Sequence, residues 1–522
     1  MTSSRRRVMA AAAAAATLPF VLVAAATATA HASTAGVRQT APATTAPEGA
    51  SASVASPTVS GPVGGGTPAE FMFSTNFNLA QVGYQEQEFF LSGTAKSYTS
   101  AAPLTTDGVW NSIIPTGAAA GYTTRVVVRR PIDPAKFNGT VIVEWLNVSG
   151  GVDAGPDWTL SHNELIRDGF AWVGVSAQWQ GVQAARGNAS AVVPGDPVRY
   201  AALSHPGDSF SYDIFSQAGQ AIRDHAALLL DGLTPGKLIA VGESQSAGRL
   251  VTYINAIQPR DHEYDGFLVH SRGAAGAPLR QSAPGTPIPT TANDAVRAGT
   301  KFRSDLNVPV FLFQTETDIF NSNASVRQPD TNRFRSWEVA GSSHFDWYGL
   351  NIGPNDTGNG QGAVQNLAAE LNPSKVTSAG TCNQAVNTGG THWVLDAAMY
   401  WTNVWVSEGT LPPAGQPLQV SSVSPVVFAK DANGNTLGGV RSPQVDVPVA
   451  AFGGIGNTPA FCVLFGTTVP FSQGHLTGLY KNHGEFVSGW SHAAQDDVKS
   501  GFLRPADAEE LIEAAAMSSV GQ

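Results

Sequence analysis

Leu238-Ile-Ala-Val-Gly-Glu-Ser-Gln-Ser-Ala-Gly248 is the stretch that decides how this chain folds. Its first four residues are an uninterrupted apolar run, the pattern of a strand buried on both faces. The run stops at Gly242, and Ser244 follows two residues later. From Gln245 small residues give way to larger apolar ones as far as Ile257, which predicts a helix. A strand that turns into a helix this abruptly strains the dihedrals of the residue on the turn, so its neighbours must be small; a serine there has its hydroxyl displayed at the end of the sheet, as in a nucleophile elbow. Gly242 and Ala247 meet the size requirement, while Ser246 stands where such turns commonly carry glycine. The helix N-terminus beside Ser244 brings free N–H groups and a positive dipole end that favour developing negative charge.

Other apolar runs surround this one. Residues 84–91 and 122–129 alternate as antiparallel strands do, and 139–146, 170–176, 266–270 and 308–314 read as buried strands, with a shorter strand at 334–340. Residues 157–167, with Asp157 as a cap, and 212–230 read as helices between them. Such alternation predicts an α/β fold: a mostly parallel central sheet with helices on both faces and the strand C-termini along one edge, where ligands bind. Two long proline- and glycine-rich stretches, 178–207 and 271–307, follow strand ends and are expected to overhang that edge as caps. Past residue 345 the chain is expected to be an elaboration of the same domain, with helices at 393–406 and 505–516 and an extended part at 411–448.

The N-terminal end has a different character. Arg5-Arg-Arg7 precedes an alanine-rich apolar stretch over 8–26, and Ala30-His-Ala32 fits the small-x-small rule for signal peptidase. Residues 1–32 are therefore expected to be a signal peptide, cut after Ala32, leaving a secreted chain with no membrane anchor. Residues 33–67, rich in Ala, Thr, Ser, Pro and Gly, are expected to be a disordered leader, and 68–518 a single domain. The two cysteines, Cys382 and Cys462, would pair in an oxidising compartment. With a net charge of -10 and 13% charged residues, the chain has no basic face for nucleic acid. It also lacks an H-E-x-x-H or cysteine-rich ligand set, a G-x-G-x-x-G after a strand and a P-loop, so neither a catalytic metal nor a cofactor is expected.

A serine hydroxyl needs a base within hydrogen-bond reach, and the base needs an orienting acid. Later strand ends supply both in the order serine, acid, histidine. The strand at 308–314 runs into Thr315-Glu-Thr-Asp318, and the next into Ala340-Gly-Ser-Ser-His344. Ser244, Asp318 and His344 are the candidate triad, with Glu316 as the alternative acid. Glu243 is given no role, since neighbours on such a turn point different ways. For an oxyanion hole the N–H of Gln245 is the first candidate, and Asn147 or Val148, in the glycine-containing loop after 139–146, the second. Arg272 is a candidate either for contacting a substrate carboxylate or for holding a cap. His205 and Asp208 either line the crevice, where His205 would contact substrate, or bind a metal, or serve the structure.

The chain resembles the α/β-hydrolases, and more narrowly a bacterial group described as "alpha/beta hydrolase domain" proteins. The residues that carry the narrower likeness are Gly83-Tyr-Gln-Glu-Gln-Glu-Phe-Phe90, Val143-Glu-Trp-Leu-Asn-Val148, Ser204-His-Pro-Gly-Asp-Ser-Phe-Ser-Tyr-Asp213, Gly242-Glu-Ser-Gln-Ser246, Arg333-Phe-Arg-Ser-Trp-Glu-Val-Ala-Gly341 with His344, and Arg441-Ser-Pro-Gln-Val-Asp-Val-Pro448. The resemblance implies the fold and serine-hydrolase chemistry but no substrate. The expected activity is hydrolysis of small or polymeric carboxylic esters. A lactonase, amidase or peptidase with the same triad, or a non-catalytic binding protein on the same fold, are the alternatives.

Overall fold

The computed structural model describes residues 54–188, 194–281, 290–321 and 323–522. The expected signal peptide, 1–32, lies outside these residues, as does the leader up to residue 53. Among the described residues the main sheet has nine strands: β1 (Thr58–Ser60), β2 (Tyr84–Ser100), β3 (Ile113–Pro131), β4 (Thr140–Trp145), β5 (Ala171–Val175), β6 (Lys237–Glu243), β7 (Gly266–His270), β8 (Val310–Thr315) and β9 (Phe334–Val339). Their spatial order is β1-β2-β3-β5-β4-β6-β7-β8-β9. β1, β2, β3 and β5 pair antiparallel with one another in turn; from β5 through β9 every pairing is parallel. The helices that matter here are α1 (Pro156–Arg167), α2 (Trp179–Ala185), α3 (Ser211–Asp224), α4 (Gln245–Thr252), α5 (Glu316–Phe320), α6 (Gln361–Leu371), α7 (Thr391–Glu408), α8 (His483–Ser500) and α9 (Pro505–Met517).

The apolar runs are continuous because both faces of the sheet are covered. In β4, Val141, Val143 and Trp145 enter the core shared with Ile214, Phe215 and Ala218 of α3 and Leu250 of α4, while Ile142 enters the opposite core with Trp158 and Leu165 of α1 and Leu395 and Ala398 of α7. β6 divides in the same way, Leu238 and Ala240 on one side, Ile239 and Val241 on the other. Each fully buried aliphatic or aromatic side chain of this kind contributes about 1.5–3 kcal/mol. The order reverses at β4: the chain runs to β5 on one side and then to β6 on the other. That reversal opens a crevice beyond the C-terminal ends of β4 and β6, and Ser244 stands at its rim.

Several expectations are corrected. Thr58–Ser60 belongs to the sheet, not to a disordered leader: Thr58 pairs with Ser92, Val59 with Leu91 and Ser60 with Phe90. Its strand is held by the otherwise free backbone edge of β2, and a side chain on Gly61 would come within 2.8 Å of the Phe89 ring. Asp157 is not the cap of α1. Glu144, projecting from β4, accepts from Asp157 N at 3.0 Å and Trp158 N at 3.0 Å, which leaves the Asp157 carboxylate to meet His270 Nδ1 at 2.9 Å. The stretch 178–207 contains α2, and Asp208 accepts from Trp179 N at the start of that helix. In the described parts of 271–307, Ala277 N donates to Gly248 O and Arg303 Nη1 to Asn255 O, so they pack down the side of α4 and its continuation.

Past β9, helices α6, α8 and α9 close a smaller core around Phe486, Trp490 and Leu511. α7 joins it to the sheet, with Trp393 in the smaller core and Val394 and Leu395 in the larger. Cys382 and Cys462 are disulfide-bonded across a sequence separation of 80. Closing a loop of that length removes chain entropy from the unfolded state equivalent to about 4–5 kcal/mol. The bridge also fixes the segment whose Leu464 O accepts from Phe345 N, directly behind the loop that carries His344.

Candidate active site

Ser244 stands between β6 and α4 with φ 61° and ψ −114°. Such a conformation costs a non-glycine residue about 1–3 kcal/mol and persists only where its surroundings enforce it. Here Ser244 N donates to His270 O at 3.0 Å, extending the β6–β7 ladder, and Gly248 N donates back to Ser244 O at 3.1 Å as α4 begins. A Cβ on Gly242 would lie 3.1 Å from the Cβ of Ser246 and 3.2 Å from Leu250 Cδ1. The missing side chain at 242 is thus what lets Ser246 replace the more usual glycine.

Two loops from farther along the same sheet edge reach this serine. β8 ends at Thr315, which caps α5, and Asp318 is the third residue of that helix. Its Oδ2 accepts from Thr315 N at 2.7 Å, Thr315 Oγ1 at 2.8 Å and Ser271 Oγ at 2.7 Å. With one carboxylate oxygen so fixed, the other lies 2.6 Å from His344 Nδ1. His344 follows β9 after a short turn, its own N–H donating to Thr317 Oγ1 at 3.1 Å, and its Nε2 lies 2.7 Å from Ser244 Oγ. For neutral imidazole these distances assign the Nδ1–H tautomer, with Nε2 accepting from the serine hydroxyl. Burial pushes the Asp318 carboxyl up, but the imidazole charge and the hydrogen bonds prevail and hold it below its ordinary range.

Glu316 does not touch the imidazole. Its Oε1 accepts from Gly341 N at 2.7 Å and its Oε2 from Gly454 N at 3.1 Å, so it ties the turn before His344 to the C-terminal part of the chain. Glu243, set aside on sequence grounds, does touch it: Oε1 lies 3.0 Å from His344 Nε2. Glu243 ends β6 opposite His270 of β7, and Asn147 Nδ2 reaches its main-chain oxygen at 3.0 Å and its Oε2 at 3.3 Å. Burial drives the His344 pKa down, but the two carboxylates, Glu243 and Asp318, outweigh it and raise the value to about 10.

Only two of the three oxyanion candidates keep a free donor. The Asn147 N–H donates to Ala154 O at 2.9 Å and cannot serve. The N–H groups of Gln245, at the first position of α4, and of Val148 have no acceptor among the described residues. His205 is structural: buried and neutral, its Nε2 donates to Ala177 O at 3.0 Å and its Nδ1 accepts from Gly207 N at 3.1 Å, with burial pushing its pKa down. Asp208 accepts from Arg249 Nη2 at 2.8 Å and so ties α2 to α4. Arg272 fits the second of its two readings. It is buried, donates to Gly273 O and Thr300 O, and lies 5.1 Å from the Phe302 ring, so it ties the residue after it to Thr300 and Phe302. Burial lowers its pKa to about 9. Sequence reasoning missed Glu243, the Asn147 carboxamide, Ser271 and Thr315. Of these only Thr315 carried a local signal, the Thr-x-x-Asp spacing of a capping pair.

A mostly parallel sheet whose order reverses beside a strained serine turn, with acid and histidine delivered from the next strand ends, is the architecture of an α/β hydrolase. The chain belongs to that family: the family described as "Alpha/beta hydrolase domain" matches residues 59–513. No curated protein matches the sequence. Among solved structures it is similar to a rice cell wall degrading esterase from Xanthomonas oryzae, at 12% identity over 49% of this chain and 84% of that one, TM-score 0.26. It is similar also to a glucuronoyl esterase from Solibacter usitatus, at 9% identity over 49% of this chain and 77% of that one, TM-score 0.24. A third is a serine hydrolase without lid from Xanthomonas campestris, at 11% identity over 47% of this chain and 83% of that one, TM-score 0.24.

Proposed function

We propose that this protein is an exported serine hydrolase that cleaves carboxylic esters through an acyl-enzyme. The observation that carries the reading is the unbroken chain Asp318 Oδ1–His344 Nδ1 at 2.6 Å and His344 Nε2–Ser244 Oγ at 2.7 Å, ending on a serine that is only partly buried. Ser244 Oγ attacks the ester carbonyl carbon as its proton passes to His344 Nε2. The carbonyl electron pair moves to oxygen, and that oxyanion accepts from the N–H groups of Gln245 and Val148. Asp318 holds the tautomer and balances the imidazolium. As the tetrahedral intermediate collapses, the carbon–oxygen bond to the leaving group breaks and His344 returns the proton to the departing alkoxide. Water then attacks the acyl-serine by the same route, releasing the acid and restoring Ser244.

The decisive test is a fluorophosphonate, which phosphonylates an activated serine. Treated from neutral to alkaline pH, the mature folded protein is expected to gain a single adduct, mapped by mass spectrometry to the peptide containing Ser244. Folded protein that remains unlabelled throughout that range while a control esterase reacts would leave the fold as a binding scaffold. Export is read from the basic start, the alanine-rich run and Ala30-His-Ala32. The protein recovered from culture medium is expected to begin at Ser33, and an exported chain still starting at Met1 would contradict that.

A further inference from the structure

A neutral histidine base offers one lone pair, on Nε2, and in the arrangement above that lone pair receives the serine proton. In this site Nε2 has two oxygen neighbours, Ser244 Oγ at 2.7 Å and Glu243 Oε1 at 3.0 Å. A carboxylate facing a lone pair is repelled; a carboxylate facing an N–H is bound. The contact therefore favours a doubly protonated ring, with Nδ1–H on Asp318, Nε2–H towards Ser244 Oγ and the Glu243 carboxylate paired with the ring charge at 3.0 Å from Nε2. Glu243 is not there by accident of a loose side chain: it is buried, and Asn147 Nδ2 reaches its other carboxylate oxygen and its main-chain oxygen.

We infer that Glu243 is a second carboxylate partner of His344, clamped by Asn147, that sets the pH at which the imidazole becomes free to act as base. The inference deepens the proposed function and rests on His344 being the base of that reaction. Before turnover the pair stores His344 as an imidazolium, so the hydrolase is silent until pH rises far enough to remove the Nε2 proton. Once a serine proton has been transferred, the same carboxylate, 3.0 Å from Nε2, stabilises the new imidazolium charge. Glu243 thus makes the imidazole a stronger base and, for the same reason, delays its availability.

The other titratable groups around the imidazole do not substitute for this pair. Asp318, from α5, remains charged on Nδ1. His270, ending β7, is held neutral by burial, with its pKa lowered to about 4. Asp157, from α1, is pushed up by burial and by the Glu243 charge, and Asp346, two residues beyond His344, rises to about 6 through burial. Glu243 and Asp318 are the charges that hold the His344 pKa near 10 against its burial.

Removing the Glu243 charge lowers the imidazole pKa, so the acid limb of the kcat/KM profile moves to lower pH. With p-nitrophenyl acetate, mature Glu243→Gln protein should show that limb displaced downward by at least one unit, a tenfold change in the protonation equilibrium. Its kcat/KM near pH 7 should rise relative to the parent, while its high-pH plateau should fall several-fold. Asn147→Ala, which releases the clamp, should move the limb the same way by less, and serves if Glu243→Gln does not fold. A structural role alone would lower activity at every pH without moving the limb, and an unmoved limb in a folded variant overturns the inference. The second readout needs no turnover: in Ser244→Ala protein the downfield imidazole N–H resonances of His344 are titrated with and without Glu243→Gln. The same displacement is expected, and identical titrations overturn the inference. If the parent hydrolyses no ester, the proposed function falls, and this titration still decides whether Glu243 governs His344.

Discussion

Replacing Ser244 with alanine is expected to lower kcat/KM for an activated ester by about 10⁴–10⁶-fold while leaving the fold intact. The size follows from what is lost. In the proposed mechanism Oγ is the atom that bonds to the acyl carbon, and without it only water remains to attack a carbonyl whose oxygen is held by the N–H groups of Gln245 and Val148. The intact fold follows from what is kept. Alanine has the same Cβ as serine, so the strain at φ 61° is unchanged, and both the donation of 244 N to His270 O and that of Gly248 N to 244 O survive. Among the described residues, the only side-chain bond lost is the one to His344 Nε2. Ser246→Ala is the matched control, two residues along the same turn. Its Oγ is buried without a hydrogen-bond partner among the described residues, so removing it should leave kcat/KM within a few-fold and stability unchanged or slightly higher. Steady-state rates and thermal unfolding of the two variants check this. A Ser244→Ala protein within tenfold of the parent would end the acyl-enzyme mechanism for this chain.

The strands that reach the site were legible because they carry their burial in their own residues. Gly266–His270 coincides with the expected strand, and β4, β5, β8 and β9 differ from expectation only by a residue or two at their ends. The same holds for serine, acid and histidine, whose order along the chain is dictated by the order of the strand ends. What was not legible depends on partners distant in sequence. β1 has mostly exposed side chains and exists because β2 offers an unpaired edge. The Asn147 N–H is lost to Ala154 because the loop between them doubles back, and its carboxamide acquires its use only when β6 brings Glu243 alongside. Glu243 itself was dismissed from the local geometry of the turn, yet the loop from β9 carries His344 over the end of β6 and meets it. α8 was missed for a different reason. Its start is marked by Asn482-His-Gly-Glu485, with the Asn482 side chain accepting from Glu485 N at 2.9 Å, a signal present in the sequence but outweighed by a polar, weakly apolar helix body.

Asp318→Asn and Glu316→Gln should separate cleanly, one in rate and the other in stability, although the residues are two apart on one helix. An asparagine at 318 can keep its carbonyl oxygen towards Thr315 N, Thr315 Oγ1 and Ser271 Oγ, the three donors that fix Asp318 Oδ2. Its NH₂ group then faces His344 Nδ1. A donor at that place makes Nδ1 the acceptor and puts the ring proton on Nε2, the tautomer that cannot take a proton from serine. The expected cost is about 10⁴ in kcat, with a folded protein. A glutamine at 316 meets the opposite situation. Both Glu316 oxygens accept from backbone N–H groups, Gly341 N at 2.7 Å and Gly454 N at 3.1 Å, so either orientation of the amide sets donor against donor. One buried N–H is left without an acceptor, at about 1–3 kcal/mol. That lowers the melting temperature and loosens the turn ahead of His344, but below the transition kcat should remain within about tenfold of the parent, since the Asp318–His344–Ser244 chain is untouched. Rates measured well below each variant's unfolding temperature decide the matter. Equal losses of kcat in two folded variants would mean that the carboxylate at 318 is not the one that orients the base.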